Sequence, residues 1–145
     1  MVSQPRFVIL EDHPLVREAL AERLVRHLGD VDFVYTGDSV SAALAAIEGR
    51  GVDCIVMDLD LGDSVSPIVN VVSLAETGAP VLIVSALGDG VTIRAAFTAG
   101  VIGFLSKSAE PEEFVAAIEA ALRGDKYTSA EALSLIHISE PTRPY

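Results

Sequence analysis

Short, unbroken apolar runs alternate with amphipathic stretches along this chain, and that alternation restricts the fold more than any other feature. Phe7-Val8-Ile9-Leu10 is the first such run. A strand that is apolar at every position must be covered on both faces; a strand with one wet face alternates apolar and polar residues. Similar runs fall at Val31–Tyr35, at Asp53–Leu59 (with Cys54-Ile55-Val56-Met57 as its heart), at Pro80–Ala86 and at Val101–Leu105. Helix patterns stand between them. Pro14 sits where a first helical turn tolerates it, Val16, Leu20, Leu24 and Leu28 follow at helical spacing, and Gly29 stops the run. Ser39–Ile47, Pro67–Glu76, Val91–Ala99 and Pro111–Leu122 are the other helix candidates, the last closed by Gly124. Pro67–Glu76 has the poorest helix pattern, because Ile68, Val69, Val71 and Val72 are β-branched. Five strands alternating with five helices predict βαβ units, hence a parallel α/β sheet with helices on both faces.

Composition removes several function classes. The 145 residues suit one domain. Lys plus Arg is 10 and Asp plus Glu is 21, a formal net charge of −11. Such a surface repels a phosphate backbone, so this chain alone is not expected to bind nucleic acid, and it is equally unsuited to an anionic membrane surface. The single Cys54 excludes an internal disulfide framework and leaves a Cys-based zinc site without ligands. No apolar run reaches the roughly 18 residues of a membrane span, and no signal-peptide pattern opens the chain. The expectation is a cytoplasmic domain.

In open parallel α/β sheets the functional site lies beyond the carboxyl ends of the strands. The first strand ends in Glu11-Asp12, the third in Asp58 with Asp60 two residues on, the fourth in Ser85, and the fifth is followed by Lys107. Two carboxylates about 4 Å apart repel by roughly 4 kcal/mol at an effective dielectric of 20. Glu11, Asp12 and Asp58 at one edge therefore need a divalent cation, Lys107, or both. Oxygen ligands with open positions suit Mg²⁺. A carboxylate beside such an ion can be a nucleophile toward a phosphoryl group, with the Lys107 ammonium and the Ser85 hydroxyl offsetting charge on its oxygens.

These residues, in this order, resemble the receiver domain of two-component response regulators. The matching pieces are Glu11-Asp12, Val56-Met57-Asp58-Leu59, Ser85-Ala86 and Gly103-Phe104-Leu105-Ser106-Lys107, and the likeness covers about residues 6–124. The resemblance implies a flavodoxin-like (βα)5 doubly wound sheet of order 2-1-3-4-5. It implies Asp58 as phosphoacceptor, Mg²⁺ held by Glu11, Asp12, Asp58 and the backbone carbonyl of Asp60, and Ser85 and Lys107 as contacts to the phosphoryl group. It makes Ser85 and Phe104 the switch pair, a sensor histidine kinase the phosphoryl donor, and the face from the fourth helix to the fifth the surface that changes, with homodimerisation through it as one outcome. Two features depart from the common pattern: Ser108 follows Lys107 where many receivers have a cis proline, and Asp60 adds an acid beside the pocket.

Two other functions fit parts of this pattern. Asp58-Leu59-Asp60 is also the aspartate-x-aspartate of haloacid-dehalogenase-like phosphatases, but there it ends the first strand of a larger, capped chain. A degenerate receiver that only binds a partner would keep the fold and ignore phosphate, and the intact acidic set speaks against it. His13 reads as an exposed loop residue near the site with no partner triad, Cys54 as an inert buried thiol, and Gly88-Asp89-Gly90 as a turn. The receiver is expected over residues 1–125, with 126–132 as the start of a linker. The stretch Gly124–Ser129 resembles the linker that leads to a DNA-binding helix-turn-helix domain in LuxR/FixJ (NarL)-type regulators, so DNA contact would belong to an output domain outside this chain. Leu133–Arg143 reads as the translation of a transposon-end adaptor used in sequencing libraries, so residues 133–145 are expected to be non-native and His137 to carry no function.

Overall fold

The computed structural model describes residues 4–62, 65–86 and 89–139, with side chains through Ile136. The expected turn at Gly88, part of the loop Asp60–Ser66, the His137 side chain and the end of the tail lie outside the described residues. Six parallel strands form one sheet in the order β2-β1-β3-β4-β5-β6. They are β1 (Arg6–Leu10), β2 (Asp32–Gly37), β3 (Cys54–Met57), β4 (Val81–Ser85), β5 (Gly103–Ser106) and β6 (Tyr127–Thr128). The helices are α1 (Pro14–Leu28), α2 (Val40–Arg50), α3 (Pro67–Ala75), α4 (Gly90–Ala99), α5 (Pro111–Arg123) and α6 (Ala130–Ser139). The first five strands and helices follow the order that the alternation and the resemblance imply.

The continuous apolar strands serve two cores at once. Successive side chains point to opposite faces. Val8, Leu10, Ile55, Met57, Val81, Ile83 and Phe104 therefore meet α2, α3 and α4 on one side. Phe7, Ile9, Cys54, Val56, Leu82, Val84 and Leu105 meet α1 and α5 on the other. The β-branched segment Pro67–Ala75 is helical despite its low propensity. Burial of Val71 and Leu74 against the first of these cores supplies what propensity lacks. Pro14, Pro67 and Pro111 each stand in the first turn of their helix. Gly100 ends α4 in the left-handed region, at φ +115°, and a Cβ there would also press on Ala75 at 3.1 Å. Among the described residues no helix is long and apolar enough to cross a membrane.

The expected linker is structured. Tyr127 pairs with Gly103 and Thr128 with Phe104, in parallel register. Gly103 allows this approach, since a Cβ there would lie 2.6 Å from Leu82 Cδ1 and 3.1 Å from the Tyr127 carbonyl oxygen. The Ser129 hydroxyl accepts from the Ala132 backbone N–H at 3.1 Å, and α6 then packs on α4. A two-residue strand is too short to show periodicity, which is why the sequence gives little sign of it.

Candidate functional site

The strand ends do bring the acidic and basic residues to one edge. Asp58 follows β3, and its N–H donates to the Leu10 carbonyl at 2.9 Å, which fixes it beside the end of β1. Glu11 is held from the other side, with its N–H on the Gly37 carbonyl at 2.9 Å. Lys107 N–H donates to the Ser85 carbonyl at 3.0 Å, so β4 and β5 arrive as a pair.

The Asp58 carboxylate is almost wholly buried, at 4% exposure, and both its oxygens are engaged. Ser85 Oγ donates to Oδ1 at 2.8 Å, and the Asp60 N–H reaches the same oxygen at 3.2 Å. Lys107 Nζ donates to Oδ2 at 2.8 Å. The same ammonium lies 2.8 Å from Glu11 Oε1, forming an ion pair that is off the hydrogen-bonding direction. Burial alone would lower the Lys107 pKa, but the hydrogen bond to Asp58 and the negative charges of Asp58 and Glu11 together raise it above the usual lysine value. Lys107 is thus a fixed cation between two buried carboxylates.

One ammonium against Glu11, Asp12 and Asp58 leaves local negative charge in excess. Glu11 is fully buried, and Glu11 Oε1 and Asp12 Oδ1 are buried without a hydrogen-bond partner. A hydrogen bond with the Glu11 carboxyl, aided by the charges of His13 and Lys107, holds the Asp12 pKa below its usual value against the opposing effect of burial. One ligand atom each from Glu11, Asp12 and His13 lies within 4.8 Å of the others. Buried carboxylate oxygens that lack a directed hydrogen bond, in a region of excess negative charge, fit a hard divalent cation such as Mg²⁺. Asp60 is exposed, and its carboxylate accepts from the Gly62 N–H at 3.2 Å.

Three contacts were not legible in the sequence. His13, the exposed loop residue expected near the site, places Nδ1 at 3.1 Å from Glu11 Oε2 and 3.0 Å from Asp12 Oδ1, and its backbone N–H reaches the same Glu11 oxygen at 3.1 Å. Arg17, on α1, donates to the Glu11 carbonyl at 2.6 Å. Gly62, at φ +73°, stands against Asp12, where a Cβ would lie 3.4 Å from Oδ2. A one-turn return from α1 or a loop contact has no spacing signature. The Lys107–Ser108 bond is trans, and the Ser108 N–H donates to Ser106 Oγ at 3.1 Å. Phe104 is buried on β5, in the core shared with Ile93 and Ala96 of α4. Burial pushes the Cys54 thiol up to about 12, as an inert core thiol requires.

Residues 7–119 match the family model of the response regulator receiver domain. The chain belongs to that family. Among curated relatives, the receiver is 32% identical over 124 residues to a glycerol metabolism activator of Pseudomonas putida, covering 84% of this chain and 56% of that protein. It is 28% identical over 123 residues to the transcriptional regulatory protein UhpA of Escherichia coli, covering 85% of this chain and 61% of that one. The chain therefore spans somewhat over half the length of these relatives. A LuxR-family two-component response regulator from Aurantimonas sp. superposes with a TM-score of 0.81 at 29% identity, covering 94% of this chain and 97% of that one. A LuxR-family DNA-binding response regulator from Silicibacter pomeroyi gives 0.73 at 27% identity, covering 88% and 98%. Both of these solved structures are named as LuxR-family response regulators.

Proposed function

We propose that this receiver takes a phosphoryl group from a sensor histidine kinase onto Asp58 and passes the change to an output. The observation that carries this reading is the Asp58 carboxylate itself, buried yet held at once by the Ser85 hydroxyl and the Lys107 ammonium, each at 2.8 Å. A carboxylate oxygen of Asp58 attacks the phosphorus of a phosphohistidine. The P–N bond breaks, a P–O bond forms, and the imidazole nitrogen leaves and takes up a proton. Lys107 and Ser85 are placed to meet the transferred group's oxygens, where charge sits in the transition state. Glu11, Asp12, Asp58 and the Asp60 carbonyl are the residues that would hold Mg²⁺. Bound there, the ion would neutralise the charge of the incoming phosphoryl group.

Ser85 and Phe104 then serve as the switch pair, and the face from α4 through β5 to α5 as the surface whose affinity for partners, a second copy included, changes. Contact with DNA belongs to an output domain joined after the linker, as in relatives named as DNA-binding regulators. The receiver works in the cytoplasm, where such kinases present their phosphohistidine.

The test is incubation with acetyl phosphate and Mg²⁺, read by intact mass. A gain of one phosphoryl group is expected, lost in Asp58→Ala and with chelator. No gain in a folded protein that binds Mg²⁺ would favour a receiver that only binds partners. Continuous release of phosphate from small esters, lost in Asp60→Asn, would favour a phosphatase.

A further inference from the structure

Helices α1 and α5 cover the same face of the sheet, and each packs more closely on the strands than on the other helix. Toward their amino-terminal ends they leave between them a cavity of about 290 Å³, close to the lower limit of small-molecule sites. Its walls are apolar: Val16 and Leu20 from α1, Val84 and Leu105 from the strands, and Phe114 from α5. Leu15 and Ala19, both exposed, form its rim on α1. At roughly 30 Å³ for each water-sized group, the space takes about ten heavy atoms. The helical lining ends at Arg23 and Phe114. One turn beyond Arg23, His27 Nε2 comes to 3.4 Å from Glu119 Oε2 and joins the two helices.

Arg23 is the charge that this cavity leaves unanswered. It is half-buried, and its guanidinium carbon lies 5.8 Å from the centroid of the Phe114 ring, itself part of the wall. Among the described residues no carboxylate comes within ion-pair distance of it. Acids outnumber Lys plus Arg by 21 to 10 in this chain, so a lack of carboxylates is not the reason. Lys107 is the other cation of the lining, and it is already engaged, bonded to Asp58 and paired with Glu11. The cavity therefore offers apolar surface and one uncommitted guanidinium. Such a group matches a carboxylate through two parallel N–H donors, and its plane can stay on an aromatic face while it does so.

The geometry points to a binding site for a small apolar monocarboxylate, with its hydrocarbon part in the α1–α5 cavity and its carboxylate on Arg23. A ligand with several polar groups fits poorly, because apolar walls and one cation leave the remainder buried and unpaired. A neutral apolar ligand gains nothing from Arg23. The lining carries no carboxylate, so an anion meets no like charge there. Lys107 is shared with the acidic edge: it lines the cavity and its ammonium bonds Asp58, so a bound ligand stands directly beside that edge. The site does not rest on the reading of Asp58 as phosphoacceptor.

The test titrates the full chain with 3-phenylpropanoate and with 3-phenylpropanamide, its neutral match in shape, and follows NMR methyl resonances. The acid is expected to shift the methyls of Val16, Leu20, Val84 and Leu105 saturably, with a Kd of about 1 mM or tighter. The amide is expected to bind about tenfold more weakly. Arg23→Gln is expected to weaken the acid about tenfold and leave the amide unchanged, and Arg23→Lys to restore part of the loss. Ala19→Trp, a change at an exposed rim position, is expected to close the mouth and abolish binding of both. Arg26→Gln, an exposed cation of the same helix outside the lining, is expected to bind as the wild type does. Absence of a saturable shift at the four cavity methyls overturns the site. Equal binding of acid and amide, or acid binding that survives Arg23→Gln undiminished, overturns a carboxylate held by Arg23. Shifts of the same methyls on raising protein concentration without ligand mean that a second copy fills the cavity, and overturn the proposal too. None of these readings involves phosphoryl uptake, so failure here leaves the reading of Asp58 untouched.

Discussion

The two ends of the same parallel strands carry ion pairs of similar composition and opposite consequence. At the amino edge, Arg6 pairs with Asp53 at 3.8 Å and Arg50 with Asp32, all on side chains 28–48% exposed. At the carboxyl edge, Lys107 stands 2.8 Å from Glu11 and from Asp58, whose side chains are 0% and 5% exposed. Exposed pairs are worth little, because water already solvates each partner. Buried carboxylates are costly to leave alone, so every change to their surroundings is felt. Strand β3 joins the two regimes, with Asp53 just before it and Asp58 just after it. Each edge ion-pairs two carboxylates with Lys or Arg, and the surrounding solvent is what sets those pairs apart.

The sharpest way to break the comparison is to neutralise one acid at each end of β3. Asp58→Asn is expected to abolish phosphoryl uptake from acetyl phosphate, and Asp53→Asn to leave it at the wild-type level by intact mass. The next largest effect falls on stability. Lys107→Met leaves Glu11 and Asp58 buried without their cation, and urea unfolding at neutral pH without Mg²⁺ is expected to show a loss of about 3 kcal/mol. Mg²⁺ is expected to restore part of that loss by binding the folded chain alone. An unchanged midpoint would mean that water reaches these carboxylates and that the two edges do not differ in kind.

Legibility in the sequence follows the same division. Strands β1 and β3 to β5 declare themselves because a strand buried on both faces must be apolar throughout. Glu11, Asp58, Ser85 and Lys107 stand out because each interrupts or ends such a run, and the structure gathers all four. What was not legible depends on contacts without a repeat. Arg17 reaches back to the Glu11 carbonyl from α1, and His13 folds over both acids of its own loop. Strand β6 has two residues, and its pairing is permitted by a feature of another strand, the missing side chain of Gly103. Helix α3 was legible only in part, since its propensity and its burial point in opposite directions.

Cys54 tests how dry the interior of β3 is between its two charged ends. Burial holds the thiol protonated up to about 12, whereas the unfolded chain releases that proton near the ordinary thiol value of 9.0. The folded pKa is raised, so the contribution is fully present below the unfolded value and is lost as pH rises toward the folded one. Between neutral pH and about 10.5, the wild-type chain is expected to lose roughly 2 kcal/mol more stability than Cys54→Ala, measured by urea unfolding of both. Equal losses would mean that solvent reaches the middle of the strand.

The smallest effects belong to the amino edge and to an exposed helix cap at the other edge, where α2 begins after β2. Arg50→Met removes the pair with Asp32, and its cost is expected to stay below about 1 kcal/mol and to shrink further in high salt. Ser39→Ala removes the hydroxyl that accepts from the Ala42 N–H at 3.1 Å at the start of α2. A cap of this kind costs about 1 kcal/mol when lost and does not fade with salt, because neither partner carries a net charge. The two variants together separate charge from directed hydrogen bonding near the surface. If Arg50→Met cost as much as Lys107→Met in the same salt, burial would not be what sets the two edges apart. The −11 net charge of the whole chain would then be the larger influence, since every lost cation adds to the same self-repulsion wherever it sits.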